Sequence, residues 1–134
     1  MRRLFAAAAA VVMMAMSVMA QTAIRANIPF DFRVGDTVLP AGTYDFDTQA
    51  YRVVRISGMD KDLAVPFSPL GRSIWMPKPA KLVFNHYGSH YFLAEVWEGN
   101  SPKGRGIPKS DYEISRAKKG PPQRIEAIPD SWRR

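Results

Sequence analysis

Apolar and polar residues alternate along much of the chain between positions 28 and 67. Four segments carry an apolar side chain at every second position, namely Ile28-Phe30-Phe32-Val34, Tyr44-Phe46, Val54-Ile56 and Leu63-Val65-Phe67. Successive side chains of a strand point to opposite faces, so this period predicts half-buried β-strands. Gly35-Asp36 and the Leu39-Pro40-Ala41-Gly42 segment supply turn residues between them. Short connections of this kind favour antiparallel strands.

The most informative segment is a predicted hairpin in which residues 81–87 and 90–97 flank Gly88-Ser89. Glycine at the first central position suits a type II′ turn, because that position requires a positive φ. Pairing Tyr87 with His90 then sets the register down to Leu82 with Glu95. One face carries Leu82, Phe84, His86, Tyr91, Leu93 and Glu95, and the other carries Val83, Asn85, Tyr87, His90, Phe92, Ala94 and Val96. Both faces are largely apolar, which predicts a central strand pair covered on both sides.

A short helix is predicted further along the chain. Ser110-Asp111-Tyr112-Glu113 is a capping box, in which the Ser110 hydroxyl accepts from the third amide and the Glu113 side chain returns to the Ser110 amide. Lys118-Lys119 suits the last turn of a helix, and Gly120-Pro121-Pro122 ends it. The helix is therefore expected over about residues 110–119.

Residues 1–20 differ in composition from the rest of the chain. Two arginines precede an apolar stretch over residues 4–16, and Val18-Met19-Ala20 is a small-residue cleavage site. The apolar stretch is shorter than the roughly 20 residues that cross a bilayer. We therefore predict a signal peptide cleaved after Ala20, export to the periplasm or the extracellular space, and no membrane span after cleavage. The chain has no cysteine, so no disulfide stabilises it.

These elements together predict an all-β fold. We expect a compact antiparallel β sandwich or small barrel of about six or seven strands with one short C-terminal helix. The chain then divides into a signal peptide at residues 1–20, a β domain with its helix at 21–119, and a basic C-terminal tail at 120–134. Within that tail, residues 124–128 either add an edge strand or fray.

The charge of the chain is concentrated near its C-terminal end. Residues 21–98 carry eight basic and eight acidic side chains, whereas residues 99–134 carry nine basic and four acidic ones. Such a segment is either a solvated end of the domain or a surface for an anionic partner at the cell envelope. Nucleic acid is not an expected partner, because an exported protein is separated from the usual nucleic-acid targets. In addition, no motif in the tail interleaves basic and aromatic residues. The candidate binding residues of the charged segment are Lys103, Arg105, Lys118 and Lys119.

No pattern of residues predicts a catalytic, cofactor-binding or metal site, and no cofactor is expected. The two histidines, His86 and His90, fall on opposite faces of the predicted hairpin, which does not favour a shared metal ion. Asp45 and Asp47 share a strand face, so a pair of carboxylates for glycoside cleavage is conceivable. Ordinary alternation with Tyr44 and Phe46 explains the same two residues without chemistry.

A proline-rich loop over residues 66–80 lies outside the strand pattern, since its prolines do not suit a central strand. Apolar residues on a stiff loop lose little entropy on binding, which makes Arg72, Trp75 and Met76 candidate partner-binding residues. The alternative is that Trp75 folds back over one end of the domain. We favour this second interpretation, because a small domain needs its large side chains in the core.

The chain also resembles a group of uncharacterised small exported bacterial proteins that are abundant in acidobacteria. The segments that carry the resemblance are Asn27-Ile28-Pro29-Phe30-Asp31-Phe32, Leu39-Pro40-Ala41-Gly42-Thr43-Tyr44 and Lys81-Leu82-Val83-Phe84-Asn85-His86-Tyr87-Gly88, with Tyr91-Phe92-Leu93 and Val96-Trp97. The resemblance covers most of residues 26–118. It implies an exported β-rich protein and brings no activity, cofactor or catalytic residue with it.

The function expected from the sequence is that of an exported, non-enzymatic binding or structural module of the bacterial cell envelope. One alternative is a small-ligand carrier with an aromatic-lined barrel, which needs an interior cavity that side chains do not fill. The other is an acid-pair hydrolase of envelope polysaccharide, which needs two carboxyl groups that face each other across a cleft.

Overall fold

The structure is a computed structural model that describes residues 24–58 and 60–128; the predicted signal peptide and its cleavage site lie outside the described residues. No helix of the described part is both long enough and apolar enough to cross a membrane. The elements are β1 (Ile24–Ile28), β2 (Phe32–Val34), β3 (Thr37–Leu39), β4 (Gly42–Asp47), β5 (Val53–Ser57), β6 (Asp62–Pro66), β7 (Ser68–Gly71), β8 (Lys81–Tyr87), β9 (His90–Trp97), β10 (Lys103–Gly106), α1 (Asp111–Ala117) and β11 (Gln123–Ala127).

The strands form two sheets that face each other. The first sheet has the order β1-β4-β5-β6 and is antiparallel throughout. The second has the order β11-β8-β9-β10-β7, and the β2–β3 hairpin joins it through a parallel contact between Arg33 and Phe92. Since the sheets do not close into a barrel, the predicted all-β class is confirmed in its sandwich form. The strands exceed the expected number, because the predicted alternating run from Ile28 to Val34 is divided between β1 and β2, and because three-residue strands such as β3 are too short to show a period.

The core lies between the inner faces of the two sheets. Tyr44 and Phe46 of β4 and Val54 and Ile56 of β5 are buried there, as the period of two predicts. Strand β1, which precedes the predicted alternation, buries every second residue as well. The second sheet contributes inward-facing residues of β8 and β9 to the same cluster. A void beside Phe84 and Ile28 measures about 40 Å³, which is room for little more than a water molecule. The largest fully buried side chains are Phe32, Phe46, Phe84 and Phe92.

The central hairpin follows the predicted register near its turn and departs from it further along. Gly88 has a φ of +59°, as the predicted turn requires, and Tyr87 pairs with His90. The predicted pairs at the far end are wrong, because a β-bulge makes Val83 pair with Glu95 and shifts every later pair by one residue. The bulge turns Val96 into the core and moves Glu95 to the outer face of the sheet.

Helix α1 covers the outer face of the second sheet at the turn end of this hairpin. Ser110 caps it as predicted, with its hydroxyl accepting from the amide of Glu113 at 3.2 Å. The predicted return of the Glu113 side chain to the Ser110 amide is wrong. That carboxylate instead turns inward and accepts hydrogen bonds from Asn85 Nδ2 and Tyr87 Oη, both at 3.0 Å. The outward-facing polar groups of β8 are thus satisfied by the helix.

The C-terminal segment is not a free tail as far as the structure describes it. Residues 123–127 form the edge strand β11, which pairs antiparallel with β8. On its outer side, Arg124 holds Glu95 through two hydrogen bonds of 2.7 and 3.1 Å. Burial alone would raise the pKa of Glu95, but the hydrogen bonds from Arg124 and Trp97 and the charges of Arg124 and Lys81 outweigh it and lower this pKa.

Candidate functional site

The loop between β7 and β8, at the edge of the second sheet, carries an exposed tryptophan. Trp75 is 81% exposed, and its neighbours Ile74 and Met76 are exposed as well. The interpretation that Trp75 folds back over one end of the domain is therefore wrong. We call Ile74, Trp75 and Met76 the Trp75 patch. Together with Pro77 and Asn100, these residues line a shallow depression of about 280 Å³.

The base of this loop is held by Arg72. Its guanidinium donates from Nε to the carbonyl of Ser101 and from Nη2 to the carbonyl of Glu98, both at 2.9 Å, and it lies 4.8 Å from the ring of Trp97. Burial lowers the pKa of Arg72. All of its hydrogen-bond partners are backbone carbonyls of this chain, so its placement favours a structural role over the surface-binding role expected from the sequence.

A second set of bonds closes the loop. The amide of Lys78 donates to Asn100 Oδ1 at 3.0 Å, and the amide of Asn100 donates to the carbonyl of Lys78 at 2.8 Å. With Arg72 at one side and this pair at the other, the backbone on both sides of the Trp75 patch is fixed. The patch would therefore lose little conformational freedom on binding.

The structure separates the basic residues predicted as one surface. Lys103 pairs with Gly71 at the base of the Trp75 loop. Lys118 and Lys119 follow helix α1, whose Arg116 side chain lies against Gly88 at the opposite end of the β8–β9 hairpin. A strand as long as β9 spans about 25 Å, well beyond the roughly 8 Å over which exposed charges act at physiological salt. Lys103 therefore belongs with the Trp75 patch, and the other two lysines do not.

Arg105, the fourth predicted cation, lines a groove that the sequence did not indicate. The groove lies between the β4–β5 loop and the corner at which the chain passes from β6 into β7, and its volume is about 680 Å³. It gathers residues that are far apart in the chain, so local patterns carried no sign of it. The lining consists of residues 48–52, Pro66, Phe67, Pro69 and Arg105.

Three of the lining residues contact Glu98, which is not itself a lining residue; we call Glu98 and these three residues the floor of the groove. The Oε1 atom of Glu98 accepts hydrogen bonds from the hydroxyl of Thr48 and, at 3.0 Å, from Nε2 of Gln49. Arg105 Nη1 lies 3.4 Å from the same oxygen. The Nε and Nη1 atoms of Arg105 are shielded from solvent and have no hydrogen-bond partner among residues 24–58 and 60–128, and its guanidinium carbon lies 5.5 Å from the ring of Phe67.

The two histidines and Asp45 lie apart from both features, whereas Asp47 adjoins the groove and accepts the amide of Gln49. His86 stacks on Tyr91 with ring centroids 3.9 Å apart, whereas Nε2 of His90 lies 3.3 Å from the hydroxyl of Tyr112 on helix α1, on the other face of the sheet. Within residues 24–58 and 60–128, no group of three potential metal-ligating side chains comes together. The carboxylate of Asp45 is bonded to Arg25 at 2.8 Å on the outer face of the first sheet.

Comparison of the chain with protein-family models, with curated proteins and with solved structures finds no match. The functional interpretation consequently depends on the geometry of the Trp75 patch and of the groove at Arg105.

Proposed function

We propose that the protein is an exported, non-enzymatic binding module that attaches to a protein partner at the bacterial cell envelope through the Trp75 patch. The observation that carries this proposal is the 81% exposure of Trp75 on a loop whose two sides are fixed by hydrogen bonds. Tryptophan is among the residues that contribute most binding energy at protein interfaces, and a preorganised loop reduces the entropic cost of association.

The charges around the patch indicate the chemistry of the partner. Lys78 and Lys103 flank the patch, and neither takes part in an ion pair within the described residues. Charges at the rim of an interface steer association and select the partner. The partner surface that fits is an apolar recess, able to receive an indole ring, with an acidic rim.

The two alternative functions receive less support. A carrier with an interior cavity needs space that is absent around Phe84, where the described void is about 40 Å³. An acid-pair hydrolase needs two carboxylates across a cleft, whereas Asp45 is bonded to Arg25 and Asp47 Oδ1 accepts the amide of Gln49 at 2.9 Å. Export through the predicted signal peptide remains part of the proposal.

The test is co-sedimentation of the purified protein with isolated envelopes of the source bacterium. Trp75→Ala should reduce retention at least about tenfold, the usual effect of removing a central aromatic residue from an interface. One variant serves as a matched control. Val38→Ala truncates an apolar residue on β3 that is 48% exposed, the same exposed fraction as Met76 has in the patch. This variant should leave retention unchanged.

The role of charge is tested by a pair of double variants. Lys78→Gln with Lys103→Gln should weaken retention about threefold to tenfold at low salt, whereas Lys118→Gln with Lys119→Gln removes the same charge at the far end and should have little effect. Protease treatment of the envelopes should abolish retention. If retention survives this treatment, or if vesicles of phosphatidylglycerol and phosphatidylethanolamine retain the protein equally well, the partner is lipid and the proposed protein partner is wrong.

A further inference from the structure

We propose that the groove between the β4–β5 loop and the β6–β7 corner binds a small organic carboxylate with an apolar body, and that Arg105 receives the carboxylate. This site is separate from the Trp75 patch and shares no residue with it. The argument combines the size of the groove, its apolar wall and the sign of its charges.

The size and wall of the groove suit an apolar body. At about 680 Å³, the groove falls within the range of small-molecule sites, which is on the order of 300–1,000 Å³. Phe67 and the prolines at positions 66 and 69 form one wall, and Tyr51 stands at the opposite rim. Rigid apolar side chains of this kind bind a hydrocarbon or aromatic group without having to be reordered.

The charges of the groove select an anion. The charged side chains among its lining residues are Arg52 and Arg105, which are both cationic. Glu98 Oε1 lies 3.4 Å from Arg105 Nη1, and that oxygen already accepts from Thr48 and Gln49. Within the described residues, Nε of Arg105 is withdrawn from solvent without an acceptor, and Nη1 has this ion-pair contact but no hydrogen bond. A desolvated donor without a partner is costly, and a ligand carboxylate brought beside this guanidinium supplies the missing acceptor after a small side-chain rotation.

The backbone at the rim supports the same site. Arg52 has a φ of +63°, a conformation that side-chain-bearing residues rarely adopt. Its guanidinium carbon lies 5.0 Å from the ring of Tyr51, so the cation and the ring occupy the rim together. Unfavourable backbone conformations persist where surrounding structure imposes them, and they concentrate at binding sites.

The probe for this proposal is 4-phenylbutyrate, with 4-phenylbutyramide as a neutral analogue of the same shape. Binding is followed by ¹⁵N NMR titration of the mature protein, purified after the cell has exported it and removed the predicted signal peptide. We expect the carboxylate to shift the amide signals of residues 48–52, 67, 68 and 105, and to bind about tenfold more tightly than the amide, as a charge-assisted bond to arginine implies.

Two substitutions on the floor should move the affinity in opposite directions. Arg105→Gln should weaken 4-phenylbutyrate binding about tenfold and leave the carboxylate no better than the amide. Glu98→Gln removes the competing carboxylate and should strengthen binding about threefold. Arg25→Gln, the same change on the outer face of the first sheet, should leave the affinity unaltered. A purely structural Arg105–Glu98 pair would make both floor variants bind more weakly.

The proposal is overturned if carboxylate and amide bind equally, if Arg105→Gln keeps the carboxylate affinity, or if the shifted signals lie at the Trp75 patch. Where Arg105→Gln fails to fold, Glu98→Gln decides the matter, because unchanged or weaker binding by that variant is equally fatal. Neither result bears on envelope retention through Trp75, so the two proposals fail independently.

Discussion

The two ends of the β8–β9 hairpin have different surroundings. At the turn end, helix α1 lies over the outer face, and the buried carboxylate of Glu113 accepts hydrogen bonds from Asn85 and Tyr87. At the opposite end, Trp75 projects from the loop that follows β7, and Lys103 has no ion pair within the described residues. Both ends of the hairpin carry buried side chains, but helix α1 lies over the turn end, which we call the covered end, whereas the exposed Trp75 patch lies beside the other, which we call the open end.

This difference separates stability from recognition. At the covered end, Glu113 is paired with Asn85 and Tyr87 within the molecule, so its removal leaves both donors without this acceptor. At the open end, apolar surface and charge remain available to another molecule, and their removal costs the folded state little. Substitutions at the covered end should therefore lower the free energy of unfolding, whereas substitutions at the open end should weaken binding and leave that free energy nearly unchanged.

The largest expected effect is at Glu113. Glu113→Ala should lower the free energy of unfolding by about 3 kcal/mol, because two buried donors lose their acceptor. Trp75→Ala should lower it by less than about 0.5 kcal/mol, as is usual for exposed side chains. Urea unfolding followed by fluorescence or circular dichroism measures both.

Glu113→Gln is the control for this comparison. It keeps a carbonyl oxygen able to accept from Tyr87 and should cost about 1 kcal/mol, less than the alanine variant. Equal unfolding midpoints for Glu113→Ala and Trp75→Ala would show that the covered end contributes no more to stability than the exposed loop does.

The turn that defines the covered end provides the next effect. Gly88 has a φ of +59°, and a Cβ there would lie 3.1 Å from Arg116 Nη2. Gly88→Val should cost about 2 kcal/mol, because a β-branched residue is strained at this φ. Ser89→Ala should cost less than about 0.5 kcal/mol. Thermal unfolding of the two variants distinguishes them, and similar shifts would contradict the turn geometry.

The smallest effect is an alkaline titration of Tyr87 at the covered end. Burial, then the hydrogen bond and charge of Glu113, raise the pKa of Tyr87 from 10.0 to about 12. Because the folded pKa exceeds the unfolded one, this contribution to stability is complete below pH 10.0 and is lost as the pH rises to about 12. Ultraviolet absorbance should show a late tyrosinate phase that Tyr87→Phe removes. A late phase that persists in this variant would belong to another tyrosine.

Much of the fold could be predicted from local patterns. The alternation in β4 and β5, the turn at Gly88 and the cap at Ser110 each depend on neighbouring residues, and each agrees with the structure. The errors arose where distant segments meet. The bulge opposite Val83 depends on burying Val96, and the inward turn of Glu113 depends on Asn85 and Tyr87.

The candidate site shows the same limit. The sequence singled out Trp75 and Met76 as surface residues and yet favoured placing Trp75 over the domain, because its exposure depends on how Arg72 and Asn100 hold the loop. It also grouped Arg105 with Lys118 and Lys119 by proximity along the chain. In three dimensions Arg105 lines the groove, and the two lysines follow a helix at the other end of the hairpin.

The sequence by itself determined the period of the strands, the positions of the turns and the cap of the helix, because these depend on backbone preferences within a few residues. The tertiary structure alone decided which end of the central hairpin is covered, where the register shifts, and which cations share a surface. These outcomes are set by the burial of side chains from segments far apart in the chain, and no local pattern records which distant segment will supply the covering surface.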